Sequence, residues 1–199
     1  MPAVAKIDVL QNRDGRNLMI NGYPQMPGRI IEYLTSMCDG SMVRVCSGTY
    51  QFQSVTAIQA STTSYVEVNG SVLNYCPPAG TTMVTYRYNF SQYWGATHAI
   101  NDYKFFIDQN EVVNARTNKH NGYNIEERST FEWNIPIGGV ANTSTGRQAT
   151  WTNLKKLYLM VRQYGASNYS NLNSTYYWDG ASAIGTNLSM PELTIIATA

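Results

Sequence analysis

Charged side chains are scarce in this sequence. They make up 14% of its 199 residues, whereas ordinary soluble domains carry about 25%. The 14 basic residues are nearly matched by 13 acidic ones, so the chain has no positive excess with which to neutralise a row of phosphates. We therefore do not expect nucleic acid as a partner. Asn, Ser, Thr, Gln and Tyr replace the missing charge, and such polar surfaces are common where proteins contact other proteins or sugars.

Long apolar runs are also missing. No run approaches the roughly 20 residues of a membrane-spanning helix, so we expect no membrane partner. The N-terminal stretch, MPAVAKIDVLQNRDGRNLMINGYPQMPGR, carries charges at Lys6, Asp8, Arg13 and Asp14. It therefore lacks the continuous apolar core of a secretory signal. These features predict synthesis and assembly in a cytoplasm.

Side chains that bind metals are few. The two histidines, His98 and His120, lie in polar, loop-like stretches, where we expect them to form local hydrogen bonds. The three cysteines, Cys38, Cys46 and Cys76, form no CxxC pair and are odd in number. This pattern favours buried free thiols, with a disulfide or a metal site as the alternative. We expect no metal ion and no cofactor.

Catalytic motifs are missing as well. The sequence has no GxSxG and none of the glycine-rich loops that hold nucleotide phosphates. Cys46 has only Arg44 nearby to lower its pKa, which makes it a poor nucleophile candidate. Among the carboxylates that could serve a glycosidase, Glu132 is the most interesting, because it lies between Phe131 and Trp133. We expect no enzymatic activity; the alternative is a polysaccharide-degrading enzyme with two carboxylates in one cleft.

Alternating apolar and polar residues dominate what the sequence does contain. In TTMVTYRYNFSQYWG, Val84, Tyr86, Tyr88 and Phe90 fall on one side, as a half-buried β-strand requires. Similar strand-like runs recur at intervals of about 8–12 residues with turn residues between them, the pattern of a sandwich, jelly roll or small barrel. Asn69-Gly70 predicts a tight hairpin between two such runs.

Helical spacing is hard to find. Residues 28–40 (GRIIEYLTSMCDG) fit a short helix about as well as a strand. We therefore predict an all-β fold, an antiparallel jelly roll or β-sandwich of about 8–10 strands with an extended N-terminal arm. The arm is residues 1–28, which contain little apolar sequence, and the β-jelly-roll head is residues 29–199.

Aromatic residues are abundant, with 15 tyrosines and 4 tryptophans. Two clusters stand out, one at Tyr93 and Trp94 and the other at Tyr176, Tyr177 and Trp178. Tyr and Trp are enriched at protein interfaces, and their rings also stack on sugars. Both clusters are therefore candidate contacts, either for packing within or between subunits or for a glycan.

Several segments resemble a known group of proteins when they are taken together. They are CDGSMVRVCSGTYQFQSVTAIQ, YCPPAGTTMVTYRYNF, INDYKFFIDQNEVVNAR, RSTFEWNIPIGG, TGRQATW and YYWDG. They resemble virion surface proteins of marine tailed phages and related aquatic viruses, a group that includes fibre, knob and capsid decoration proteins. The resemblance runs from about residue 28 to the C-terminus and implies a β-jelly-roll head, often trimeric, mounted on the virus particle.

The resemblance implies a structural protein of the virion that contacts other virion proteins, such as major capsid or tail proteins, and forms a homo-oligomer, with a trimer favoured. A fibre usually has a long shaft, for which this chain has only roughly 28 residues, so a capsid decoration protein or a short knob is favoured. The arm would then dock through its apolar residues Val4, Ile7, Val9 and Leu10. The alternative is the receptor- or glycan-binding head of a phage tail fibre, with the aromatic clusters at its site.

Overall fold

A computed structural model of the chain describes the backbone of residues 9–11, 17–20, 23–24, 28–94, 98–122, 125–178 and 183–199, and their side chains except those of residues 9–24, 121, 177–178 and 183–186. All the regular secondary structure in these residues is β-strand, which confirms the all-β prediction. The strands, in chain order, are β1 (Val9–Gln11), β2 (Asn17–Ile20), β3 (Tyr23–Pro24), β4 (Ile30–Met37), β5 (Met42–Val45), β6 (Gly48–Gln51), β7 (Gln59–Ala60), β8 (Val66–Glu67), β9 (Leu73–Tyr75), β10 (Met83–Trp94), β11 (Ala99–Ile107), β12 (Asn110–Asn121), β13 (Ile125–Pro136), β14 (Lys155–Gln163), β15 (Asn171–Leu172), β16 (Ser174–Trp178), β17 (Ala183–Leu188) and β18 (Glu192–Thr198).

Two antiparallel sheets form a sandwich. Across its main body the first sheet has the order β4, β18, β10, β13, and β15 and β7 continue it beside the far end of β10. The second sheet has the order β12, β11, β14, and then β8 and β9 lie end to end beside β14. If β8 and β9 are counted as one interrupted strand, the sandwich has eight main strands, which are β4, β8 with β9, β10, β11, β12, β13, β14 and β18. Numbered 1 to 8 in this order, they lie in the order 1-8-3-6 in the first sheet and 5-4-7-2 in the second. That arrangement is a jelly roll, as predicted.

The alternating residues form the core between the sheets. Along β10, Val84, Tyr86, Tyr88 and Phe90 are all buried, and their neighbours across the sheet, such as Ile195 on β18, are buried too. Phe105 on β11 and Leu157, Leu159 and Val161 on β14 cover them from the second sheet. A period of two along each strand therefore produces one continuous apolar layer.

The predicted hairpin at Asn69-Gly70 is wrong. β8 and β9 do not pair with each other; each pairs with β14. The turn between them bends inward, where the Gly70 carbonyl accepts a hydrogen bond from the buried Cys38 thiol and the Asn69 carbonyl accepts one from Tyr88. Tertiary contacts in the core thus outweigh the local turn preference.

Residues 28–40 contain a strand, not a helix. β4 pairs along its length with β18, where Leu34 lies opposite Ile195 and both side chains are buried. A long-range partner decides between two local conformations that the sequence alone favoured about equally. β1, β2 and β3 form a small antiparallel sheet of their own that, in the described backbone, pairs with neither sheet of the sandwich.

Candidate functional site

The outer surface of the first sheet is rich in hydroxyl and amide side chains. We call it the hydroxyl face and define it by residues that lie opposite one another across four strands: Tyr33, Thr35 and Met37 on β4, Glu192, Thr194 and Ile196 on β18, Thr85, Arg87 and Asn89 on β10, and Thr130, Glu132 and Asn134 on β13. These positions alternate with the buried residues of the same strands, so they point away from the core.

Side chains of the hydroxyl face bond mainly to each other. Thr35 Oγ1 lies 2.8 Å from Thr194 Oγ1 and donates to Glu192 Oε1 at 3.1 Å. Thr85 Oγ1 donates to Asn134 Oδ1 at 2.7 Å. A further bond of 2.8 Å runs from the hydroxyl of Thr130 to the amide oxygen of Asn89. The polar groups are thus held in place before any partner arrives.

One edge of the hydroxyl face is apolar. Tyr33 is 53% exposed and Met37 is 50% exposed, and Ile30 and Met42 nearby are more exposed still. β4 is also the edge strand of its sheet within the described backbone. Exposed apolar side chains along a sheet edge are typical of a surface that another protein covers.

Glu132, the carboxylate singled out as a possible glycosidase acid, belongs to the hydroxyl face. Its Oε2 lies 2.5 Å from Arg87 Nε, and both side chains are substantially exposed. A raised pKa of the kind a catalytic acid needs comes from an apolar, enclosed environment. Glu132 instead has a cationic partner in an open position.

The aromatic candidates of the first cluster are not on the surface. Trp94 is 0% exposed and Tyr93 is also buried. The ring of Tyr93 stacks on that of Tyr176, with centroids 4.9 Å apart and an angle of 14° between the planes. In this chain the two clusters therefore contact each other through Tyr93 and Tyr176. Tyr177 and Trp178 lie in β16, but their side chains are outside the described residues.

The apolar arm residues fall largely outside the description. Val4 and Ile7 lie outside the described residues, and Val9 and Leu10 are described only as backbone, in β1. In that strand Val9 lies opposite Ile20 and Leu10 opposite Met19 of β2. Their role in attachment stays a prediction.

A buried carboxylate that the sequence analysis missed joins the two sheets. Glu32 on β4 is 5% exposed. Its Oε1 accepts hydrogen bonds from the hydroxyls of Tyr75 on β9 and Ser47, both at 2.7 Å, and its Oε2 accepts from the Ser47 amide at 2.8 Å and the Cys46 thiol at 2.9 Å. The sequence contains one indication of this buried carboxylate, because Glu32 lies two residues before Leu34 in a strand-like run and therefore on the same face as Leu34.

The charge of Glu32 is stabilised where it lies. Burial raises its pKa, but the hydrogen bonds from Cys46, Ser47 and Tyr75 lower it more, so the pKa lies below the ordinary value of 4.5. Burial, together with the hydrogen bond to Glu32, raises the pKa of the Tyr75 phenol far above its ordinary range. The group therefore acts as a fixed ionised link between β4, β9 and the turn that follows β5.

The cysteines differ from one another. All three are free thiols; Cys38 is buried, as predicted, and burial raises its pKa to about 12. The expectation of burial is wrong for Cys46, which is exposed because it lies in the turn between β5 and β6, and Cys76 is only partly buried.

Neither a cluster of His, Cys, Asp or Glu suited to a metal ion nor a helix long and apolar enough to cross a membrane occurs among the described residues.

Comparisons with known proteins give little more. No family model and no curated protein matches the chain. Among solved structures, a chain in the structure of the infectious bursal disease virus Gx strain aligns with 100% of this chain and 42% of its own length, at 10% sequence identity and a TM-score of 0.38. The chain thus spans less than half of that neighbour, and a likeness this weak does not establish a shared function.

Proposed function

We propose that this chain is a non-enzymatic structural protein of a virus particle, a capsid decoration protein or short knob that assembles through contacts between copies. The observation that carries the proposal is the internally bonded hydroxyl face, with exposed Tyr33 and Met37 along its edge. The jelly roll supports it because viral capsid domains commonly use this architecture, although a fold alone does not determine a function.

The hydroxyl face is well suited to burial against another protein. Its threonine hydroxyls and the amide oxygens of Asn89 and Asn134 already have partners, so a covering surface needs to satisfy only the remaining polar groups. Its side chains are already held in place, so little additional conformational entropy is lost on association. Strands about 4.8 Å apart that rise about 3.3 Å per residue give four strands with three outward residues each an area on the order of 400 Å². The face is therefore about half of the roughly 800 Å² that each partner contributes to a standard interface, and the exposed Ile30 on β4 extends it.

We favour another copy of this chain as the partner. Arg87 and Glu132 neutralise each other within the face, which leaves Glu192, bonded to the Thr35 hydroxyl, as its one other charged residue. The whole chain has a net charge of only +1, so the overall repulsion between copies is small. The resemblance to phage surface proteins favours a trimer, in which the hydroxyl face of one copy contacts a different surface of the next. In a dimer, the face would contact itself.

The assembly is tested by placing a charge on the face. Tyr33→Asp should convert the oligomer into monomer, because it buries an unpaired carboxylate at the interface. We expect this to weaken the free energy of association by about 3 kcal/mol. Sedimentation equilibrium should give the mass of three 22.3 kDa chains for the wild type and of one chain for the variant. Tyr33→Phe, which keeps the ring and adds no charge, is the matched control and should stay trimeric. A wild-type monomer at high concentration counts against the proposal.

We propose further that the N-terminal arm attaches the head to the particle through Val4, Ile7, Val9 and Leu10. Deleting residues 1–20 should leave a folded oligomer with an unchanged melting temperature, since β4 to β18 form the sandwich without these residues. The truncated protein should no longer bind particles that lack this chain, as measured by co-sedimentation. Full occupancy of the particles by the truncated protein would refute this role for the arm.

We propose as a second function the recognition of a host glycan by the same head, at residues other than Tyr93 and Trp94. The rings of Tyr93 and Trp94 are buried in this chain, so they cannot stack on a sugar without rearrangement. The observation that favours this second function is a groove on the other sheet.

A further inference from the structure

The outer surface of the second sheet carries many of the chain's charges, and most of them are paired. Glu111 binds Lys104 at 3.2 Å and Arg116 at 2.5 Å. Glu67 pairs with Lys156. Aromatic rings cover part of the same surface, where Phe106 stacks on Tyr158 with centroids 5.2 Å apart. This surface is largely self-satisfied and offers little to a ligand.

One end of this surface is different. A groove of about 280 Å³ lies there, lined by Ile100, Asp102, Asn118, His120, Arg162 and Tyr164. We call it the Tyr164 groove. Within the described residues, the side chains of Asn118, His120 and Tyr164 have no hydrogen-bond partner. Three uncommitted polar side chains thus border one depression in a surface where most others are paired.

The strand register explains why these residues meet. Asp102 on β11 lies opposite Asn118 on β12 and opposite Arg162 on β14, which forms one row across three strands. Ile100 lies opposite His120, and its carbonyl accepts a hydrogen bond from the Tyr164 amide at 2.9 Å, which forms the next row. Two rows on three strands cover about 10 Å by about 7 Å, an area suited to one or two sugar rings.

The floor of the groove is held rigid. Tyr65 donates a hydrogen bond to Asp102, and the Arg162 guanidinium lies 5.0 Å from the centre of the Tyr65 ring and 3.9 Å from Asp102. Burial and this hydrogen bond raise the pKa of Tyr65 to about 12, so the phenol remains a donor. A site whose side chains are fixed in advance loses less entropy on binding.

The chemistry of the groove selects the ligand. Asp102 supplies an acceptor, Arg162 supplies donors, and Asn118 supplies both, which matches hydroxyl groups that donate and accept. Tyr164, 81% exposed, offers a ring face against which the C–H side of a sugar can pack. The charges of Asp102 and Arg162 cancel, so the groove has no bias toward an anion. An apolar ligand would remove water from these polar groups without replacing the hydrogen bonds that the water makes, which disfavours its binding.

We propose that the Tyr164 groove binds a neutral saccharide. The proposal deepens the second function above and is independent of the assembly through the hydroxyl face. The groove is shallow and open, so we expect weak binding per copy, in the millimolar range, that several copies in one oligomer strengthen by avidity.

The test is a glycan array carrying neutral and sialylated oligosaccharides, probed with the full-length protein, followed by calorimetric titration of the best neutral binder. Tyr164→Ala should weaken binding about tenfold, because one aromatic contact is lost. Asn118→Ala should weaken it as well, through a hydrogen bond. Val140→Ala, which shortens an 87% exposed side chain outside both the groove and the hydroxyl face, is the control and should leave the affinity unchanged.

The outcomes separate the site from the function. If no neutral glycan binds at millimolar concentration, both the groove and glycan recognition are wrong. If a neutral glycan binds equally well to wild type and to Tyr164→Ala and Asn118→Ala, recognition is right but the groove is not the site. Binding restricted to sialylated glycans and abolished by salt overturns the assignment of a neutral ligand. Both variants change exposed side chains, and an unchanged melting temperature shows that they fold.

Discussion

Replacing Glu32 with alanine should lower the free energy of unfolding by about 3 kcal/mol. The substitution leaves the buried Tyr75 hydroxyl and the half-buried Ser47 amide without their acceptor, and each buried unsatisfied group costs about 1–3 kcal/mol. The Ser47 hydroxyl keeps the Tyr50 hydroxyl, 2.8 Å away, as its partner. Urea unfolding monitored by tryptophan fluorescence measures the loss. Glu67→Ala is the matched control, and because its pair with Lys156 on the other sheet is exposed, we expect at most about 1 kcal/mol.

The same carboxylate should make stability depend on pH in a defined direction. The pKa of Glu32 is lowered on folding, so its contribution is fully present above the unfolded value of about 4.5 and is lost as the pH falls through the lower folded value. Wild-type stability should therefore drop between about pH 5 and pH 3. The Glu32→Gln variant should lose less over that interval. Parallel losses in the two proteins would show that Glu32 is not held ionised.

Gly70→Ala should cost about 2–4 kcal/mol, the second large effect. Gly70 has a φ of +92°, which alanine adopts only with strain, and an added Cβ would lie 2.9 Å from Pro191 Cγ, 3.0 Å from Val55 Cγ2 and 3.1 Å from the Tyr88 hydroxyl. The inward turn between β8 and β9 would have to move, and with it the hydrogen bonds that Cys38 and Tyr88 donate to its carbonyls.

Gly138→Ala separates strain from packing. Its φ is +104°, and an added Cβ would have no neighbour within 4 Å. We therefore expect only the conformational cost, about 1–2 kcal/mol. The difference in unfolding free energy between the two variants measures how tightly the turn at Gly70 packs. If both lose the same amount, the turn does not insert into the core as described.

Local patterns were sufficient for much of the fold. The alternation along β10 placed Tyr86 and Phe90 in the core correctly, because burial on one face imposes a period of two wherever a strand covers a core. The prediction of a hairpin at Asn69-Gly70 was wrong, because a hairpin preference acts only over a few residues. The contacts that fix this turn come from Cys38, 32 residues from its acceptor, and from Tyr88, 19 residues from its acceptor. Chain separation of that size leaves no local signal.

The surfaces were harder to predict than the core. The hydroxyl face consists of the polar half of the same alternation, and its residues become one surface only when β4, β18, β10 and β13 are placed side by side. The Tyr164 groove likewise needs three strands in register. Glu32 could have been noticed as a carboxylate on the apolar side of a strand, but its partners Cys46 and Tyr75 come from other elements.

The central proposal is that each copy of this chain covers its hydroxyl face against a neighbouring copy on a virus particle. An electron cryo-microscopy map of the intact particle that carries the chain tests it most directly. We predict density for the jelly roll on the particle surface, with Tyr33 and Met37 buried against a neighbouring copy and β1 directed toward the particle. Isolated copies with β4 and β18 open to solvent would contradict the proposal.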